Sequence, residues 1–101
     1  MSSSGQADFR LESGDEVVLH VGVDLDLATK EAFRASLTDA TDGGRPIVLD
    51  LSQVRFLDSS GLAVILTAHV DGGEMRLRGV SPVVRRTLEV AGVAELLQVE
   101  S

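Results

Sequence analysis

The chain has 101 residues, 44% hydrophobic and 25% charged, a composition that suits one compact domain and leaves no room for a second. It contains no cysteine, which excludes a disulfide framework, thiolate metal ligation and thiol chemistry. Its net charge of −7, from sixteen acidic and nine basic side chains, argues against a nucleic-acid binder, whose surface needs a basic patch to displace phosphate counterions.

The polar run Met1 to Ala7 reads as a flexible tail and residues 8–101 as a single domain. The N-terminus lacks a basic start followed by an apolar stretch, and the longest nearly uncharged apolar segment, Gly61 to Val70, is too short to span a bilayer. A cytoplasmic protein without a membrane partner is therefore expected. Eleven of the acids but only five bases fall between Asp8 and Asp58, so a basic protein surface is a better match for the first half than DNA.

In chain order, "DFRLE" alternates and "EVVLHVGV" is rich in β-branched residues, which predicts strands near 8–12 and 16–22 joined by the turn "SGD". The period then changes. Ala28, Phe33, Leu37 and Ala40 fall near one helical face, Asp26 is placed to cap the first turn, and Gly43 and Gly44 stop the run. "PIVLDLSQV" is apolar on both faces and reads as a central strand entered at Pro46. "GLAVILTAHV" predicts a heavily buried helix stopped by "DGG". "EMRLRG" alternates with Met75 and Leu77 inward, predicting another strand. "SPVVRRTLEVAG" carries Ser81 at the cap, Pro82 at the first helical position and Gly92 after the last turn. "LLQVE" reads as a short final strand. This order predicts an α/β domain with a mixed four- to five-stranded sheet packed against three or four helices.

"DSSG", residues 58–61, interrupts an apolar run where a strand gives way to a buried helix, at the carboxyl edge of the sheet where α/β proteins place ligand sites. Unpaired N–H donors and the positive end of a helix dipole would welcome an anion there. Asp58, Ser59 and Ser60 also suit plain helix caps, and Gly61 a tight turn. The motif is not a G-x-S-x-G elbow, and His20 and His69 are unpaired with either serine by spacing, so no catalytic residue is assigned. Two isolated histidines do not suggest a metal site, and no phosphate-cradling glycine motif occurs, so no cofactor is expected.

The run "IVLDLSQVRFLDSSGLAVIL", with "VDLDLATKEAF" before it and "GGEMRLRGVSPVVRRTLEVAGVAELL" after it, resembles the STAS domains of bacterial anti-sigma-factor antagonists in collinear order from about Asp8 to Val99. The resemblance implies the STAS fold and a regulatory switch rather than an enzyme. In that family the unmodified domain binds an anti-sigma factor that is also a serine kinase and so frees the sigma factor. Phosphorylation of the serine after the motif's aspartate, here Ser59 with Ser60 as second choice, ends the binding, and a PP2C-type phosphatase reverses it.

The resemblance places partner contacts around Asp26, Asp58, Ser59, Ser60 and Gly61; by position, Leu62, Val64 and the loop from Asp24 to Leu27 are further interface candidates that equally suit the core. It also leaves two alternatives: a non-switching scaffold, stressosome-like or associated with lipid transport, and an anion- or nucleotide-binding module. The chain departs from the family at Val23, where a glycine is usual, and its helix after "DSSG" is about four residues shorter, close to one turn. Family members often carry a further C-terminal helix; where that cover is short or missing, an apolar patch around Val93, Leu96 and Leu97 is expected, open either to weak homodimerisation or to cover by further chain.

Overall fold

In a computed structural model, residues 8–42, 44–72 and 74–100 are described. The tail expected over Met1 to Ala7 and the helix-stop glycines Gly43 and Gly73 lie outside these residues. Four strands, β1 (Phe9–Ser13), β2 (Val17–Val21), β3 (Ile47–Asp50) and β4 (Met75–Arg78), form a mixed sheet in the order β1-β2-β3-β4. β1 and β2 are an antiparallel hairpin; β2, β3 and β4 run parallel. The parallel pairs require crossovers, which α1 (Lys30–Thr41) and α2 (Ser59–Gly72) supply, and α3 (Pro82–Val90) follows β4.

Strand alternation fixes which face is covered. Val17, Ile47 and Met75 stand in register across β2, β3 and β4, as do Leu19, Leu49 and Leu77, and all six are buried. They join one cluster with Phe33 and Leu37 of α1, Ile65 of α2 and Val84 and Leu88 of α3, so all three helices bury their apolar stripes against the same face.

The opposite face is a ladder of charge. His20 stands in register with Arg10 and Asp50, and Asp50 with Arg78. The His20 ring nitrogens lie 2.8 Å from Glu12 Oε1 and 2.9 Å from Asp50 Oδ2, and Arg78 is 3.6 Å from Asp50. A second network joins Arg76 to Glu16 and, at 3.5 Å, to Glu100. The hydrogen bond and charge of His20 hold the Glu12 carboxyl below its ordinary range. Burial pushes the Asp50 carboxyl up, but hydrogen bonds from Ser52 and His20 and the charge of Arg78 outweigh it, and its net shift is also downward.

A carboxylate with a lowered folded-state pKa contributes stability that is present above its ordinary value and is lost as pH falls through the folded one. Unfolding midpoints are therefore expected to drop as pH descends through and below the ordinary carboxylate range, with a shallower drop in Asp50→Asn. Equal slopes in the two proteins would remove this ladder from the account of acid stability.

The helix ends follow local chemistry. Ser81 accepts from the Val84 N–H at 3.2 Å with Pro82 at the first helical position. At the other end Gly92, at φ +76°, donates to Glu89 O while Val93 donates to Leu88 O, the paired bonds of a Schellman ending.

Three expectations are corrected. Regular helix in α1 begins at Lys30, because residues 26–29 form a separate turn, and Ala28 is consequently exposed rather than on the buried face. "LLQVE" forms only a single parallel bridge, Val99 to Leu77, after a turn that carries Leu97 into the core at 0% exposure. Val93 packs against the same core, so of the expected apolar patch only Leu96 is exposed.

Candidate functional site

The loop after β2 and the loop after β3 are clamped together beyond the ends of their strands. Leu25 and Leu57, both buried, form an isolated parallel bridge: Leu25 N–H donates to Phe56 O and Asp58 N–H to Leu25 O, each at 3.0 Å. The Asp24 carboxylate completes the clamp, accepting from the N–H groups of Arg55 at 2.8 Å and Phe56 at 3.2 Å. Asp26 serves its own turn, where its carboxylate accepts from the Thr29 N–H and its N–H donates to Thr29 Oγ1, both at 3.1 Å. Two of the three acids of the expected contact set are thus tied to backbone that fixes the shape of the junction.

The third is Asp58, the cap of α2. Its Oδ1 accepts from the Ser60 N–H at 2.8 Å and the Gly61 N–H at 3.1 Å, and its carbonyl oxygen accepts from Leu62 N–H at 3.0 Å. Of the two readings of this segment the plain helix cap is the one observed, supplied by Asp58, and the expectation of several unpaired N–H donors is corrected: the chain's own carboxylate holds two of them.

Gly61 is buried, and a Cβ there would lie 2.8 Å from both Cβ and O of Leu25, so this glycine lets α2 approach the bridge. Leu62 is only 9% exposed, Val64 is buried and Leu27 is 69% exposed.

The two serines face different surroundings. Ser59 is exposed and lines a groove of about 360 Å³ with Leu62, with Arg86, Thr87 and Val90 of α3, and with Ala91 at the end of that helix. Ser60 is half-buried and lines a separate groove of about 270 Å³ between α1 and α2, with Lys30 and Arg34 at its rim. Around the junction Phe56 is 50% exposed and Val90 75% exposed. The α3 residues were not among those expected from the sequence. A signal was present in Val83 and Val90, two exposed valines seven residues apart on one helical face beside the buried Val84 and Leu88, with Thr87 between them.

Among the described residues no group of three or more acidic, histidine or cysteine side chains is placed to hold a metal ion, and no helix is long and apolar enough to cross a membrane.

Residues 10–98 match the family described as "Mlab, STAS domain". The chain belongs to the STAS-domain family. An anti-sigma F factor antagonist from Paenibacillus polymyxa is 32% identical, over 82% of this chain and 76% of that protein, which puts this STAS domain among the anti-sigma-factor antagonists. The structure of the anti-sigma factor antagonist SpoIIAA in its unphosphorylated form superposes with a TM-score of 0.72 at 27% identity, covering 92% of this chain and 88% of that one. The Bacillus cell fate determinant SpoIIAA in its phosphorylated form gives 0.63 at 25% identity, covering 92% and 91%. The STAS fold expected from the sequence, with its mixed sheet and helices on one face, is the fold observed.

Proposed function

We propose that this STAS domain is a partner switch: with Ser59 unmodified it binds an anti-sigma factor that is also a serine kinase and releases the sigma factor held by it, and phosphorylation of Ser59 ends the binding. The observation that carries the reading is the exposed position of Ser59 at the first residue of α2, beside a junction held in shape by the Asp24 and Asp58 bonds, with exposed Leu27 and Phe56 in the two joined loops and exposed Val90 in the Ser59 groove. A rigid surface of this kind, with apolar side chains around one hydroxyl, suits docking of a protein.

A phosphoryl group adds roughly −1.5 to −2 charges. At Ser59 it stands beside the carboxylate of Asp58, the cap of the same helix, while the hydrogen bonds of the clamp do not involve the Ser59 side chain. The charge therefore changes the docking face and leaves the fold standing. A PP2C-type phosphatase returns the protein to the binding form. The reading places residues 8–101 as one domain acting in the cytoplasm, without a cofactor.

The chain is incubated with its cognate anti-sigma kinase and ATP and weighed intact. Addition of one phosphoryl group, mapped to Ser59 by fragmentation and absent in Ser59→Ala, is expected. Stoichiometric binding with no modification in the presence of ATP would replace the switch by a non-switching interaction module.

A further inference from the structure

We propose that Arg86 of α3 is the counter-ion of phosphorylated Ser59, closing the groove between α2 and α3 in the modified protein. The inference rests on the reading of Ser59 as the modified residue. A phosphoryl group at the first residue of a helix ordinarily finds its stabilisation in the free N–H groups of the first turn. Here Asp58 has taken two of the three: its carboxylate holds the N–H groups of Ser60 and Gly61, leaving that of Ser59 alone, and its own negative charge lies next to the position the phosphoryl group would occupy. The compensating charge has to come from a side chain.

Three cations line the two grooves beside the motif. Lys30 and Arg34 belong to the α1 side, in the groove lined by Ser60. Arg34 is in addition 3.6 Å from Glu31. Ser59 opens to the other side, where Arg86 is the cation of the groove, and among the described residues Arg86 forms no ion pair. A guanidinium offers the forked donors that fit phosphate oxygens.

Bridging from Arg86 to the phosphoryl group would span α2 and α3 directly over Leu62 and Val90, the apolar part of the groove. Modification then does two things at once: it adds charge to the docking face, and it draws an arginine across the apolar surface a partner would use. The positive charge of Arg86 is also withdrawn from any acidic side chain on the partner.

The test installs phosphoserine genetically at position 59 in the full chain and follows its second ionisation by phosphorus NMR as pH is varied, in the Arg86 protein, in Arg86→Ala and in Arg86→Lys. A paired phosphoryl group gives up its second proton more readily, so the midpoint with Arg86 is expected to lie about half a unit or more below that of Arg86→Ala. Arg86→Lys recovers part of the difference. Phosphoserine at position 60 serves as the control, with a midpoint unaffected by Arg86→Ala.

Equal midpoints at position 59 with and without the arginine would overturn the proposal, as would equal displacements at positions 59 and 60, which would indicate only the general field of the charge. Because the phosphoserine is installed without a kinase, failure of this test is separate from failure of the switch reading, which is decided by whether the kinase labels Ser59.

Discussion

Gly61→Ala is expected to lower stability by about 2 kcal/mol. The added methyl would sit 2.8 Å from both Cβ and O of Leu25 and 2.9 Å from Leu57 Cδ1. Relief of such overpacking costs about 3 kcal/mol where the neighbours are fixed. They are fixed here, since the Leu25 carbonyl accepts from Asp58 N–H and both leucines are buried in the bridge. Alanine's better helix propensity returns about 1 kcal/mol, which leaves the net figure. In a domain of this size the thermal midpoint should fall by roughly 10 °C. An unchanged midpoint would mean that α2 shifts freely against the bridge. The substitution would then serve as a probe of partner contact, which in the tightly packed junction it is not.

Asp24→Ala is the second large effect, about 2 kcal/mol, because one carboxylate oxygen accepts from both Arg55 and Phe56 and its loss leaves two N–H groups for water alone to satisfy. The exposure of these bonds keeps the cost from being larger. Asp24→Asn retains a side-chain oxygen in the same place and should cost about half as much. Amide exchange locates the damage: the N–H groups of Leu25 and Asp58, which bond across the clamp, should exchange faster in Asp24→Ala while those of β2 and β3 hardly change. Uniform acceleration through the sheet would show Asp24 to matter to the whole fold and not to the junction in particular.

Features set by neighbouring residues were legible in the chain before any fold was known. Ser81, Pro82 and Gly92 bound α3 as their chemistry demands, since caps are decided within a few residues. The alternation of Met75 and Leu77 with Arg76 and Arg78 placed β4, because a strand sends successive side chains to opposite faces. The start of α1 departs from the sequence pattern for an equally local reason: Asp26 does cap a turn, but that turn closes on Thr29 before the regular helix begins. "LLQVE" has strand composition, yet its turn carries Leu97 into the core and leaves Val99 with a single bridge, an outcome that depends on the position of Leu77 rather than on the segment itself.

The amino-acid sequence on its own determined the four strands and three helices up to α3, the covered face of the sheet and the serine at the head of α2, because periodicity and capping act over distances of a few residues. Only the folded chain decided that Asp24 belongs to a clamp, that Asp58 fills the helix start, and that Ser59 and Ser60 open onto different grooves with different cations. Those properties join Asp24 to Arg55 and Leu25 to Leu57 and bring Ser59 and Arg86 to one groove, residues remote in sequence that come together only when parallel strands and their crossovers bring separate segments to one edge of the sheet.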